Sequence, residues 1–492
     1  MHGARWGEPM PAALPRYATT HVVGAMGTLA GVLALLSPAY GYHRDELYFR
    51  MLPPAWGYTD QPPLTPLLAH AATAVFGDSV VALRMVALVC AVASLPLLAA
   101  ITREVGGARL AQAFTVWGMA GATMTLLFGH VLLTASLDLV VWPAALLCAM
   151  RAVLRGDGRW WVAAGAIVGA STFNKLLVLV LLAGIAVGLA GCGPRRWFRS
   201  HWLYAGGVAA VVLALPSLVY QATHGWPQLA MGAALGEENA GEVRVMMWPF
   251  LVLLVGPVLA VFWAVALVAL FRRPAWRSLR WLAIVWVVVV AFVFTAGTQF
   301  YYTAGVLGTL VAVGAPPIAE WARTFTRRVV VSLLLAINAV GCAVTSLPLL
   351  PVTWFGASGL AAVNSASADQ VGWERYAEQV ARAAHAADVD VIVTSNYGEA
   401  GALARFGVSL PPVVSGHNAL WELTAPPTDA RTVLIVGAQG ERTSALFASC
   451  GVVGELDNGV GVDNEEQGEP LTVCREPVKS WRQLWPAFRH LD

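Results

Sequence analysis

Charge is scarce in this chain: only 12% of its 492 residues are Asp, Glu, Lys or Arg, while 58% are apolar. Soluble domains carry about 25% charge, so an ordinary cytosolic enzyme is excluded. Lysine is rarer still. Lys175 and Lys479 are the only two, and Arg fills every other basic position. Cysteine is limited to six residues, with no CxxC pair and no His/Cys spacing of a metal site. Neither a metal nor a cofactor is therefore expected. Cys90, Cys148, Cys192 and Cys342 lie in apolar runs and read as small buried residues. The run VLIVGAQG lacks both GxGxxG and a Lys-Ser/Thr ending, so it reads as a strand and turn and not as a nucleotide loop. The net charge is only +2, and no basic patch offers itself to nucleic acid.

That small net charge hides an uneven split. Residues 1–350 hold 22 Lys+Arg against 12 Asp+Glu, and residues 351–492 hold 9 against 17. The first part consists of long apolar runs punctuated by short Arg clusters, the pattern of a polytopic membrane domain; the second has soluble composition. Arg5 and Arg16 ahead of the apolar stretch 22–36 resemble a secretory signal, but the many spans that follow make this stretch the first span. Apolar runs of spanning length fall at 21–37, 80–101, 109–128, 132–150, 202–221, 247–271, 281–298, 302–319 and 329–350. The stretch 160–190 is broken by Thr172, Asn174 and Lys175. It is read as two short helices of about 15 residues, roughly 22 Å each against a hydrocarbon core of about 30 Å, so they need shielding by neighbours.

Charge decides that reading. With eleven spans, 17 basic residues (Arg5, Arg16 and the clusters 103/109, 151–159, 195–199, 272–280 and 323–328) fall on one side, against Arg44, Arg50, Arg84, Lys175 and Arg244 on the other. The positive-inside rule then places the N-terminus in the cytoplasm and residues 352–492 outside the cell membrane. The chain is thus expected to divide into a transmembrane domain, 1–351, and an extracytoplasmic α/β domain, 352–492, joined by a small-residue linker at 356–369. In the outer domain, helices are predicted at 371–387, 398–406 and 443–449, and strands at 389–394, 432–436 and 470–473. Cys450 and Cys474 are its only cysteines, and an oxidising compartment permits a bond closing the acidic loop 454–469.

Polar residues gather in the first outer loop, 38–79. Arg44, Asp45 and Glu46 stand just beyond the first span, where a carboxylate pair meets both water and lipid head groups; Gly57-Tyr58-Thr59-Asp60-Gln61-Pro62-Pro63 then makes a rigid turn. From Leu64 the apolar positions 64, 67, 68, 71, 72, 75 and 76 form one face of a helix lying in the interface. Other ionisable groups recur at the same depth. Asp138 lies about two turns inside the fourth span, where a carboxylate is a functional-site candidate. Arg84 marks the outer end of the second span. Lys175 sits at the hairpin tip as a compact ammonium suited to a phosphate, with a snorkelling interfacial lysine as the plain alternative. Glu237, Glu238 and Glu242 fall in the loop 222–246, and Gln299, Tyr301 and Tyr302 in an outer turn, the tyrosines doubling as an aromatic belt.

The strings DELYF and GYTDQPPL followed by Arg84, with TASLDL, FNKL and QFYY, resemble the polytopic glycosyltransferases of family 39 type. These include the dolichyl-phosphate-mannose protein mannosyltransferases, the lipid A aminoarabinose transferases and the bacterial galacturonosyl transferases. The runs SNYGEAGALARFG and VSGHNALWE resemble the outer domain of bacterial, notably actinobacterial, members. The resemblance implies a GT-C fold of about eleven transmembrane helices. It implies transfer of a sugar, mannose or another, from a polyprenyl-phosphate donor in the bilayer to a hydroxyl of a cell-envelope glycan, lipid or protein. By motif match the general base maps onto Asp45, with Glu46 beside it and Asp60 as the second acid. Lys175, Arg84, Asp138, Tyr58, Gln299 and Tyr302 are the candidates for holding the donor. Gln61 and Gln299 stand where many relatives have cations, which shifts the phosphate onto Lys175 and Arg84. The chemistry agrees: a lipid phosphate leaves without protonation if a cation meets its charge, so one carboxylate suffices to deprotonate the acceptor, with inversion. A transporter is the alternative reading. It would place its ionisable groups near the midplane and show an internal repeat, and neither is found.

Overall fold

A computed structural model describes residues 14–491, so Arg5 of the N-terminal basic pair lies outside the described residues. Six segments, Thr19–Leu36, Val80–Glu104, Thr134–Arg155, His201–Thr223, Phe300–Trp321 and Phe325–Val344, are long and apolar enough to cross a membrane, and two bent pairs raise the number to eight. One pair, Arg109–Ala120 with Thr123–His130, bends by 51°. Helices Arg159–Ser171, Val178–Gly191 and Trp281–Ala296 are shorter. Each of the eleven predicted segments therefore holds a helix.

The stretch 160–190 is indeed a hairpin, and its short arms are shielded. A Cβ on Gly165 would meet the Gly206 carbonyl oxygen at 1.9 Å and one on Gly169 the Ala210 oxygen at 2.4 Å, so helices Arg159–Ser171 and His201–Thr223 touch backbone to backbone. The eighth segment departs from expectation. Helix Pro227–Leu253 runs straight through the predicted loop that carries Glu237 and Glu242, and the chain turns by 96° before Pro257–Arg272. Gly256, at φ +86° ahead of a proline, makes that corner possible. Helix Leu64–Phe76 also differs in detail. Thr65, Pro66, Ala69 and Ala72 pack inward, while Leu67, Val75 and Phe76 point outward, so much of the apolar stripe faces away from the protein.

Two faces of the bundle are chemically distinct. On one, Glu104 pairs with Arg151 and Arg155, Arg273 pairs with Glu320, the Trp161 and Trp197 rings meet at 5.9 Å, and the turn Pro274–Leu279 packs on helix Thr134–Arg155. The Arg clusters thus share a face. On the other, Leu64 N–H donates to the Phe173 carbonyl, Gln228 to Thr59, and Asn364 to Val344 and Leu347, which gathers the first loop, the hairpin tip and residues 345–370.

Residues 352–491 pack on this second face. The stretch 356–369, expected as a linker, is instead a series of short helical turns whose Asn364 and Ser367 are buried. Strands β1 (Val391–Thr394), β2 (Val413–Ser415), β3 (Thr432–Val436), β4 (Phe447–Glu455) and β5 (Pro470–Pro477) form one sheet in the order β2-β1-β3-β5-β4. β1 is parallel to β2 and β3, and β5 is antiparallel to β3 and β4. Helices Trp373–Ala387 and Tyr397–Phe406 lie where predicted. The helix predicted at 443–449 does not form: the turns end at Leu446 and Cys450 lies within β4, directly opposite Cys474 of β5, to which it is bonded. Ile392 of β1 and Leu434 of β3 share one buried cluster with Leu47, Tyr48 and Phe49 of the first loop, so the two parts share a core.

Candidate active site

The site begins with a short helix, Arg44–Met51. His43 caps it: its Nδ1 accepts from the Asp45 N–H while its own N–H donates to Glu46 Oε2 at 2.9 Å. The cap fixes where the two adjacent carboxylates point, and they point to different sides. Glu46 is fully buried. It takes Arg84 Nε and Nη2 at 3.2 Å each and the Leu132 N–H at 3.1 Å. The remaining donors of Arg84 go to the carbonyls of Ser37, Ala39 and Gly41 and to Gln370 Oε1. The pair expected to serve catalysis and phosphate binding is thus enclosed behind the first loop, and neither residue lines the central cavity.

Asp45 turns the other way, into a cavity of about 610 Å³ between the bundle and the outer domain. Asp60, Lys175, Gln299 and Tyr302 line it too, so five of the sequence candidates converge. Part of its wall is apolar, with Leu177, Val180, Leu235 and Phe292. Asp138 borders a smaller adjoining hollow that shares Tyr301 and Tyr302 with the first. Tyr58 is buried outside the cavity, its hydroxyl donating to the Pro53 carbonyl at 2.7 Å.

Asn174 helps to hold the hairpin tip. Asn174 donates to the Thr134 carbonyl at 2.9 Å and accepts from Thr65 Oγ1 at 2.8 Å, which ties the FNKL turn to two helices and sets Lys175 in the cavity. The ammonium lies 4.0 Å from the Tyr302 ring centroid and 5.2 Å from that of Tyr301. No carboxylate pairs with it among the described residues.

Two tyrosines and an acidic loop complete the site, and sequence reasoning assigned none of them. Tyr48 donates to Asp60 Oδ1 at 2.9 Å, and Tyr397 of the outer domain donates to Asp45 Oδ1 at 2.9 Å. Their rings stack with centroids 4.7 Å apart. Arg44 binds Glu465 and Glu466 of the loop between β4 and β5. The outer domain reaches this close because Gly398 and Gly401 face helix Arg44–Met51: a Cβ on Gly401 would stand 2.7 Å from that of Leu47. Tyr397 and both glycines lie in SNYGEAGALARFG, the motif already singled out, but a contact across 352 residues leaves no local signal.

Burial raises the Asp45 carboxyl above the usual aspartate range, against the lowering influence of the Tyr397 hydroxyl, Arg44 and Lys175. Burial likewise pushes Asp60 up to about 6 despite its bond from Tyr48. Two desolvated carboxylates and one cation around a cavity with a partly apolar wall suit proton abstraction beside a bound phosphate.

Residues 60–220 match the family model of the dolichyl-phosphate-mannose-protein mannosyltransferases, about a third of the chain. No curated protein matches the sequence. The fold is similar to that of ArnT from Cupriavidus metallidurans in the apo state, with TM-score 0.61 and 14% identity over 93% of this chain and 98% of that one. The same protein bound to undecaprenyl phosphate gives 0.60 at 14% identity, over 92% and 98%. The arabinofuranosyltransferase AftD from Mycobacteria gives 0.51 at 11% identity, over 94% of this chain but only 40% of that larger one. The family match over residues 60–220 and the fold similarity agree on a multi-pass membrane protein of GT-C fold.

Proposed function

We propose that the chain transfers a sugar from a polyprenyl-phosphate donor to an acceptor hydroxyl at the outer face of the cell membrane, with inversion. The observation that carries this reading is the one cavity in which Asp45 and Asp60 share walls with Lys175 and a largely apolar lining. The apolar wall suits a prenyl chain, and ArnT with undecaprenyl phosphate shows a lipid carrier in a protein of the same fold. Lys175 meets the phosphate as the bond to the sugar breaks, and Asp45 takes the proton of the attacking hydroxyl. The acceptor is a glycan, lipid or protein of the cell envelope. Residues 1–351 supply the membrane domain, and residues 352–492 the domain that covers the cavity.

Incubating the purified protein with radiolabelled polyprenyl-phosphate sugars tests the reading. Label leaving the lipid is the expected result; label accumulating inside proteoliposomes on uncleaved lipid would mean a transporter instead. Lys175→Ala is expected to weaken binding of undecaprenyl phosphate and to slow transfer by about tenfold or more. Lys175→Arg should restore only part, because a planar guanidinium does not replace a compact ammonium. Unchanged affinity in Lys175→Ala would remove the lysine from this role.

The Arg-rich face, set apart from the cavity, supports a cytoplasmic N-terminus and an outer C-terminal domain. With that face in the cytoplasm, a membrane-impermeant thiol reagent applied outside whole cells should label a cysteine placed at Leu176 and not one at Ser200. The reverse pattern would invert the topology.

A further inference from the structure

Tyr397 of the outer domain reaches the candidate base with a hydrogen bond. Tyr397 is the first residue of helix Tyr397–Phe406, whose start is fixed by a reciprocal cap: Asn396 Oδ1 accepts from the Glu399 N–H at 2.9 Å, and Glu399 Oε2 accepts from the N–H groups of Asn396 and Ser395. The ring is held as firmly as the backbone. It stacks on Tyr48, lies 4.8 Å from the His417 ring, and has the Arg44 guanidinium 5.7 Å from its centroid. Glu465 and Glu466 hold that guanidinium in turn. From this rigid mount the phenol donates to Asp45 Oδ1, while Oδ2 receives no hydrogen bond among the described residues.

We infer that Tyr397 is a positioning residue for the reaction: its hydroxyl holds Oδ1 of Asp45, which keeps the carboxylate ionised and leaves Oδ2 to receive the acceptor's proton. This rests on the reading of Asp45 as the base. In the step itself the acceptor oxygen bonds to the sugar's anomeric carbon and its proton passes to Oδ2. The bond from that carbon to the phosphate oxygen breaks, and its electron pair stays on the phosphate. An unheld carboxylate turns about its Cβ–Cγ bond and presents either oxygen, so productive geometries become rarer. A hydrogen bond donated by the phenol is stronger to the ionised carboxylate than to the neutral acid, so it favours the charged form of Asp45.

Several groups face Asp45 and set the background for any titration. Arg44 on its own helix and Lys175 on the hairpin favour the carboxylate, while Glu465 disfavours it. Asp60 in the first loop and Asp369 ahead of the sheet are also close enough to be coupled to it. Tyr301 faces it from the turn Phe300–Thr303.

The test is Tyr397→Phe, which keeps the ring and its stacking. Difference infrared spectroscopy follows the protonated-carboxyl band that the native protein shows and Asp45→Asn lacks, and needs no substrate. Its midpoint is expected to move to higher pH in Tyr397→Phe, with the melting temperature and undecaprenyl phosphate affinity retained. The acid limb of kcat/KM, measured with whichever polyprenyl-phosphate sugar the donor assay selects, should move the same way. Turnover on that limb should fall by about tenfold. An unmoved midpoint with a uniform loss of turnover would mean a merely structural tyrosine and overturn the inference. So would faster transfer with a lower acceptor KM, since the phenol would then be occupying the acceptor's place. If Asp45→Asn keeps normal turnover, the reading of Asp45 as base fails, while the infrared midpoint still reports whether Tyr397 holds the carboxylate.

Discussion

Asp45→Asn is expected to lower turnover by about a hundredfold or more, since a general base contributes about 10² to 10⁴. The amide has the shape of the carboxylate and still accepts from the Tyr397 hydroxyl, so the helix cap, the outer-domain contact and undecaprenyl phosphate binding should survive. The pH dependence sharpens the expectation. Burial raises the Asp45 carboxyl, and a base works only when ionised. The native enzyme should therefore lose activity as pH falls through a value above the ordinary aspartate range, and the residual activity of Asp45→Asn should lack that limb. Steady-state transfer measured across pH checks both. Near-normal turnover in Asp45→Asn would pass the role to Asp60, whose carboxyl is raised to about 6 and which stands in the same cavity.

Arg84→Ala should act on folding and not on chemistry. The guanidinium is almost fully buried and serves Glu46, three backbone carbonyls and Gln370 at once. Truncating it leaves a buried carboxylate with only the backbone donors of His43 and Leu132. Breaking a buried pair from one side costs about 3–5 kcal/mol. Thermal unfolding of the detergent-solubilised protein should show a large drop in midpoint or no folded protein at all. Replacing both partners, Glu46→Gln with Arg84→Met, should cost less than Arg84→Ala alone, because no unpaired charge remains. A normal melting curve with weakened undecaprenyl phosphate binding would instead return Arg84 to the donor site.

These two residues also mark how far the sequence could be read. Composition and charge located all eleven apolar segments and the hairpin, because burial in lipid and the positive-inside bias leave strong signals in a single chain. Asp45 and Glu46 were equally visible but not separable. Neighbours on a helix point about 100° apart, so one enters the cavity and the other meets helix Val80–Glu104, and only the packed structure decides which. Residues 227–246 were read as a loop because Glu237, Glu238 and Glu242 break the apolar run that marks a span, although glutamate itself favours a helix; the penalty of Gly232, Gly236 and Gly241 is overridden by packing on helix Trp281–Ala296 and the turn Phe300–Thr303. β4 was hidden for the opposite reason. Its FASCGVVGE sequence has no alternation, since most of the strand is exposed on both faces. Tyr397 lay in a recognised motif, yet its partner is on the far side of the membrane domain's sequence.

That separation bears on how the protein comes into being. Glu46 and Arg84 lie 38 residues apart and can pair as soon as the second span is inserted, whereas Asp45 and Tyr397 are 352 residues apart. At roughly 5–20 residues per second of synthesis, the carboxylate waits about 20–70 s for its phenol. Through that interval the nascent chain can hold the Glu46–Arg84 pair, which gains the Leu132 N–H and later Gln370, with an unaimed Asp45 beside it. Competence therefore arrives late, with the last third of the polypeptide, and a ribosome that stops early leaves an inserted bundle whose carboxylate has not been set for transfer.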